Sequence, residues 1–337
     1  MESATLRHLR KKQRMNYVWI GVFFLVLGIF VWGLYAATAK IDYVWRWFRI
    51  PQYFFYHDNI EIKSDMDGEV SSIVSKGERT EIVIKGAEGE KTFVIPSDKT
   101  PVSDGDTIYT GDVLGSHKKW KVGILLLGLW LTLKVSFLSI IFGVFLGLFT
   151  GLARLSSNPA LKWSAITYIE IIRGSPLLVQ IFIWYFVLGT LINDLLARSG
   201  ISFQVPPMWF GVASLAFFTG AYVAEMVRAG IQSIHRGQTE AARSLGMNYV
   251  QTMSHVILPQ AMRRILPPLA GQFISLIKDS SLLGIIAIRE LTKATREVVT
   301  TSLQPFELWF VCALLYLVLT FGLSMFVQYL ERRTLSQ

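Results

Sequence analysis

A chain of 337 residues that is 52% hydrophobic and only 17% charged is too apolar for an ordinary water-soluble domain. Its formal net charge of +9 raises nucleic acid as a partner, but the basic residues stand at the ends of apolar blocks, as Arg7, Arg10, Lys11, Lys12 and Arg14 do before the first. That is the positive-inside arrangement of a membrane protein, so no nucleic acid is expected.

The apolar blocks lie near 17–38, 122–153, 165–189, 208–231, 265–288 and 306–330. A bilayer core takes about 20 apolar residues in helical form, because a helix satisfies its own backbone polar groups. The block 17–38 carries no charge. It is too long for a signal-peptide core, no convincing cleavage site follows it, and it is expected to remain as a helix. With the tail 1–16 cytoplasmic, residues 39–120 fall outside, and five further spans return Arg332 and Arg333 to the inner side. The fold class expected is an all-α polytopic membrane protein of about six transmembrane helices. Two features strain this count. Arg289, Lys293 and Arg296 fall in an outer loop, offset in part by Glu290 and Glu297, and Lys278 and Asp279 interrupt the block 265–288. Cys312 is the single cysteine and lies in the last block, which leaves no intrachain disulfide.

The outer segment opens with Trp45, Trp47, Phe48, Tyr53, Phe54, Phe55 and Tyr56, interleaved with Arg46 and Arg49. That mixture suits the headgroup region, and the stretch is expected to lie along the membrane surface. Short β-like runs follow at 70–74, 81–85 and 92–95, separated by Gly, Asp and Pro. Residues 58–116 therefore read as a small β-rich extracytoplasmic insert. Within it, residues 102–108 (VSDGDTI) and 109–114 (YTGDVL) resemble the Gly-Asp turn pattern of biotinyl and lipoyl half-barrels, although a generic hairpin with tight turns accounts for them equally well. No lysine occupies the tip of a matching hairpin, so covalent lipoylation or biotinylation is not implied. Asp65, Asp67 and Glu69 lack the spacing of a calcium loop and read as a solvated acidic turn; no metal is expected.

The most informative stretch lies between the fourth and fifth blocks, at about 236–262. It contains Gln238, Thr239, Glu240, Ala241, Ala242 and Gly246, then Val256, Leu258 and Pro259. Gln238 or Thr239 before Glu240 reads as a helix start, where a carboxylate favours the positive helix end. Ala241 and Ala242 keep one face thin enough for close approach, and Gly246 permits a reversal at positive φ. Pro259 is expected to bar continuation of the helix through that point. Two short polar helices joined at a glycine make a docking device for a soluble partner.

This pattern resembles the EAA motif of ABC importer permeases, with Val256 at its aliphatic position. The resemblance extends over about 121–333. It includes 128–134 (GLWLTLK), 168–180 (YIEIIRGSPLLVQ), 221–228 (AYVAEMVR) and 273–282 (FISLIKDSSL), which are similar to the polar-amino-acid branch of type I permeases. Ser175 stands where that branch usually has threonine. The resemblance implies a five-helix type I ABC importer core, preceded by the extra helix 17–38 and the insert 39–120. It also implies a transport subunit rather than an enzyme, in a bacterial inner membrane, with both termini cytoplasmic. The implied partners are two copies of an ATP-binding ABC subunit, a second permease chain (identical or homologous), a periplasmic amino-acid-binding protein and the lipid bilayer. The chain lacks a Gly-x4-Gly-Lys-Ser/Thr phosphate loop, and no cofactor is expected. The residues expected to dock the ATPase are Glu240, Ala241, Ala242, Gly246, Leu258 and Pro259.

Ionisable groups within a bilayer usually face a pathway or a partner. Lys278, Asp279 and Ser280 are candidates to line the translocation path, against a reading in which they mark an interfacial turn. Arg173, Ser175 and Gln180 are candidates at a helix irregularity, against a kink with only a packing role. Glu225 and Arg228, three apart, are expected to pair on one helix face, and Lys134 is expected to snorkel. Two other classes of function compete: an ion-coupled secondary transporter, for which no internal repeat is evident, and a membrane-anchored sensor using the outer insert.

Overall fold

Long apolar segments and short alternating ones produce two kinds of structure in this chain. The computed structural model describes residues 2–77, 79–87, 89–96 and 100–335. The chain divides into two compact units, Met1–Phe48 and Arg49–Gln337. The first is dominated by the helix α1 (Glu2–Lys40). From Tyr17 to Trp32 its side chains are exposed throughout, as suits a helix surrounded by lipid. Near its end Thr38 accepts a hydrogen bond from the Trp45 indole (3.2 Å), and the Trp45 and Trp47 rings stack.

A 3-10 helix (Trp47–Tyr53), which runs across the boundary at Phe48, leads into the six strands of the second unit: β1 (Phe55–Lys63), β2 (Gly68–Lys76), β3 (Arg79–Gly86), β4 (Gly89–Ile95), β5 (Thr107–Ile108) and β6 (Val113–Val122). β1 and β6 form an antiparallel ribbon in register from Phe55↔Val122 to Ile62↔Gly115, with a bulge before Lys63↔Val113. The other four make an antiparallel sheet of order β4-β3-β2-β5. Val70, Ile82, Ile84, Ile95, Ile108 and Leu114 close its core. The three expected strands are present, but the β structure spans 55–122 rather than 58–116. Phe55 and Tyr56, expected along the membrane surface, begin a strand, because Phe55–Lys63 is paired residue for residue with the segment that enters the next helix. The two Gly-Asp turns do equivalent work. Gly105 and Gly111 both have positive φ; Asp106 accepts from the Ser103 amide (2.7 Å) and Asp112 from the Tyr109 amide (2.9 Å). The Asp65–Asp67 turn is tied down as well. Asp67 accepts from both the amide and the hydroxyl of Thr110 (2.6 and 2.7 Å), and Asp65 pairs with Lys91.

The helices that follow are α2 (Ile124–Arg154), α3 (Pro159–Gly174), α4 (Leu177–Phe182), α5 (Thr190–Arg198), α6 (Pro207–Gln232), α7 (Arg236–Ser244), α8 (Tyr249–Gln251), α9 (Leu258–Asp279), α10 (Leu291–Ser302) and α11 (Pro305–Leu335). Among the described residues six helical segments are long and apolar enough to cross a membrane: Tyr17–Lys40, Ile124–Arg154, Leu177–Arg198, Pro207–Gln232, Tyr249–Ile286 and Pro305–Tyr329. The count agrees with expectation, while two spans move. The third begins at Leu177, not near 165, because Ser175 is extended ahead of Pro176 and breaks the helix there. The fifth begins at Tyr249, because the chain remains helical through Pro259. That proline sits in the first turn of α9, directly after a π-helical stretch (Thr252–Ile257). A missing N–H is tolerated at that position, and the wider π turn relieves the ring's clash with the preceding carbonyls.

α6 is the central helix, packed by α2, α3, α4 and α9. Its contact with α2 is close because Gly143, Gly147 and Gly151 face Thr219, Val223 and Val227. A Cβ on Gly147 would lie 2.5 Å from the Val223 Cβ, a separation that real side chains do not tolerate. Small residues four apart permit this approach where lipid provides no hydrophobic drive.

Candidate functional site

Two opposed helix caps build the loop between α6 and α9. His235 Nδ1 accepts from the Gly237 amide (3.1 Å) and starts α7 at Arg236. The helix therefore begins ahead of Gln238 and Thr239, and Glu240 is an exposed mid-helix residue rather than an N-terminal one. At the other end Gly246 has φ +82°, as the reversal requires. Its amide donates to Arg243 O (2.9 Å) and that of Met247 to Ala242 O (3.1 Å). This is the Schellman arrangement, in which a left-handed residue lets the last carbonyls be satisfied. Asn248 then opens the next helix with a capping box: Gln251 N donates to Asn248 Oδ1 (2.9 Å) and Asn248 N to Gln251 Oε1 (3.0 Å).

Ala242 is buried and Ala241 exposed, with α7 lying on the π-helical stretch. Leu258 is half-buried, whereas Pro259 is exposed. Gln260 donates to Gln238 (3.3 Å), and the Arg264 guanidinium donates to Ser233 O, which fixes the loop to α9. Around Gly246 the loop presents Leu245, Tyr249 and Val250, exposed by 82%, 61% and 71%. Sequence reasoning passed over these three residues. Their signal was the presence of large apolar side chains beside a turn glycine in an otherwise polar segment.

Arg173, Ser175 and Gln180 come together at the α3–α4 break. Gln180 is buried, and its Nε2 donates to Ile172 O (2.8 Å), Ser175 Oγ (3.0 Å) and Ser175 O (3.2 Å). It thereby satisfies carbonyls that the break would orphan. Its Oε1 is buried without a hydrogen bond among the described residues. Arg173 is exposed and lies over the Tyr222 ring, 5.3 Å from its centroid. Lys278, Asp279 and Ser280 stand where α9 tightens into a 3-10 segment (Ser280–Ile286). Lys278 is exposed, Asp279 half-buried, and Ser280 buried with its hydroxyl on Ile277 O (2.7 Å). The two groups lie on elements that share one apolar cluster through Leu177, Ile181, Leu276 and Leu283.

Glu225 and Arg228 pair as their spacing requires, at 2.9 and 3.0 Å, and Glu225 also receives Arg154 from the end of α2. The segment after the fifth span is the helix α10 rather than a loop. Glu290 does not balance surface charge there. It is fully buried, caps α10 through the amides of Thr292 (2.7 Å) and Lys293 (2.8 Å), and accepts from the Tyr316 hydroxyl (3.0 Å). Burial raises its carboxyl above the usual range, although these hydrogen bonds oppose the shift. Arg289 instead pairs with Glu297 (2.8 Å).

A glycine-seamed bundle of six candidate spans with a doubly capped loop between two of them defines a polytopic membrane protein, and known proteins narrow the class. The family described as the binding-protein-dependent transport system inner membrane component matches residues 143–336. The glutamine transport system permease protein GlnP of Escherichia coli (strain K12) is 37% identical over 212 residues, 63% of this chain and 93% of that protein. The probable glutamine ABC transporter permease protein GlnM of Bacillus subtilis (strain 168) is 41% identical over 206 residues, 61% of this chain and 91% of that one. Among solved structures, an amino acid ABC transporter with histidines shares 40% identity at a TM-score of 0.55, covering 62% of this chain and 94% of that chain. The inward-facing MetNI methionine ABC transporter shares the fold at 20% identity, with a TM-score of 0.51 over 62% of this chain and 95% of that one. The chain belongs to the binding-protein-dependent transport system inner membrane component family. The match begins at residue 143, so α1 and the β insert lie outside it.

Proposed function

We propose that the chain is the permease subunit of an ATP-driven, binding-protein-dependent importer of polar amino acids in a bacterial inner membrane. The observation that carries the coupling role is the doubly capped loop, which holds Leu245, Tyr249 and Val250 out of the protein. An apolar patch fixed by two hydrogen-bonded caps is a rigid surface for a partner. The proposed partner is a separate ATP-hydrolysing subunit seated on the loop around Glu240, Ala241, Ala242, Gly246, Leu258 and Pro259. Two such subunits close on ATP, and the loop passes their movement through α9 to the spans of two permease chains.

In this reading both termini are cytoplasmic, and residues 39–120 face the periplasm, where a solute-binding protein delivers the amino acid. The insert supports or senses that docked protein. Glutamine appears in the names of the relatives GlnP and GlnM, which favours an amide- or carboxylate-bearing substrate. Along the path, the unused buried Oε1 of Gln180, the Arg173 guanidinium, the Ser175 hydroxyl and the segment Lys278, Asp279 and Ser280 offer acceptors and charges to such a molecule. The full-length chain is expected to co-purify with an ATP-hydrolysing subunit and to drive ATP-dependent uptake of a polar amino acid in proteoliposomes. Uptake driven by an ion gradient without ATP would overturn the reading.

A further inference from the structure

Where the β ribbon joins the helical bundle, a pocket of about 670 Å3 opens between the foot of the ribbon, the start of α2 and the end of α10. Its charged walls are Arg49 and Arg289, and Tyr53 and Tyr56 form an aromatic side. α2 has 31 residues and is therefore about 46 Å long, whereas a bilayer with its headgroups measures about 40–45 Å. The first turn of α2 thus stands at headgroup depth. Leu127, which lines the pocket, is 53% exposed and continues along α2 into the exposed apolar side chains Trp130, Phe137 and Ile141. The opposite face of the ribbon's foot carries Trp120, 64% exposed, on an apolar hollow floored by Ile50 and Phe54. Tryptophan in such a place marks the membrane–water interface.

We propose that this pocket binds the headgroup of a membrane glycerophospholipid, with the phosphate between Arg49 and Arg289 and an acyl chain running down α2 past Leu127. Arg289 engages Glu297 through Nε, and a guanidinium has further N–H donors suited to phosphate oxygens. Across the pocket, the hydroxyls of Thr301 and Ser302 donate to the carbonyls of Glu297 and Val298. Their lone pairs, together with the negative end of α10, face a headgroup's glycerol hydroxyls or ammonium. The pocket joins residues that precede the family match at 143–336 (Arg49, Tyr53, Tyr56 and Leu127) to residues within it (Arg289, Thr301 and Ser302). It therefore belongs to the junction that the insert creates, and it does not depend on the orientation or substrate proposed above.

The test is native mass spectrometry of the full-length chain in its purified complex, titrated with phosphatidylglycerol and, separately, with sn-glycerol 3-phosphate. Arg49→Gln and Arg289→Gln are each expected to weaken phosphatidylglycerol retention about tenfold, the loss of one charge-assisted contact. Arg289→Lys, which keeps the charge, should recover part of it, and Lys118→Gln/Lys119→Gln, exposed on the ribbon beyond the pocket, should leave it unchanged. Arg289 is 64% exposed, so its variants decide the matter if Arg49→Gln fails to fold. Undiminished retention in Arg289→Gln, or an equal loss in the lysine control, would overturn the proposal. Displacement of the lipid by free glycerol phosphate would also overturn it, assigning the pocket to a small anion.

Discussion

The helical bundle and the β insert both have apolar cores but differ in what else they bury and what they expose. The insert buries Ile82, Ile84, Ile95 and Leu114 completely and leaves its charges in solvent, whereas the bundle buries Thr132, Ser136, Ser139, Ser214 and Thr219 and exposes Phe137, Phe145 and Phe149. Water explains the first arrangement, since apolar surface removed from it is the main source of stability. In lipid that drive is absent. The bundle is held instead by close approach at glycines and by some of its hydroxyls, as Ser139 donates to Val212 O (3.2 Å) and Thr132 accepts from the Leu291 amide (3.1 Å), whereas those of Ser136 and Thr219 have no hydrogen-bond partner among the described residues. An added side chain should therefore do most damage at the glycine seam of the bundle, and a truncated one in the core of the insert.

The largest effect on assembly of the complex is expected at the glycine seam. Gly147→Leu places a side chain where a Cβ already meets Val223 at 2.5 Å and the Gly220 carbonyl at 2.7 Å, and backbone cannot move aside cheaply. Overpacking of this kind costs about 1–3 kcal/mol or more. The yield of assembled complex on size exclusion should collapse, while Leu at an exposed α2 position such as Phe145 should be neutral. Normal assembly of Gly147→Leu would remove the seam from the account.

In the insert the damaging change is the reverse one. Ile84→Ala empties a fully buried site and should destabilise the insert by about 2–5 kcal/mol. Limited proteolysis should then cut within 55–122 while the helical bundle stays intact. Basal ATP hydrolysis should persist and stimulation by the binding protein should fall. Loss of the whole complex would make the insert an integral part of the bundle.

The smallest effect concerns acid. Thr110, through its hydroxyl and then its amide, holds the Asp67 carboxyl below its ordinary value. A depressed folded-state pKa stabilises above the unfolded value and loses that contribution as pH falls through the folded one. Insert stability should thus decline slightly below about pH 4, and Asp67→Asn should flatten that decline while costing a little at neutral pH. An unchanged acid profile in Asp67→Asn would show that the Thr110 contacts contribute nothing there.

The two regions were unequally legible in the sequence. Span number and the turn at Gly246 follow from composition and from the need for positive φ, and both are present. The ribbon was missed because β1 opens with Phe55 and Tyr56, which read as membrane-surface aromatics. Strand pairing between β1 and β6, separated by residues 64–112, leaves no local mark. Pro259 was misjudged because its cost depends on the turn before it, and the π-helical stretch has no sequence signature. Glu290 was counted with its charged neighbours, as nothing in one sequence tells a buried cap from a surface carboxylate. At the candidate path, Ser175-Pro176 foretold the break, but only the fold reveals that Gln180 serves it.

The central claim is that the doubly capped loop couples ATP hydrolysis to transport, and Gly246→Val tests it most directly. No atom lies within 4 Å of a Cβ built there, so the strain is conformational, set by φ +82°. A left-handed β-branched residue costs about 1–2 kcal/mol, enough to disturb the loop while the spans stay folded. Substrate-stimulated ATP hydrolysis of the reconstituted complex should fall sharply in this variant, with the chain still present in the membrane at normal levels. Stimulation equal to that of the unaltered protein would contradict the account.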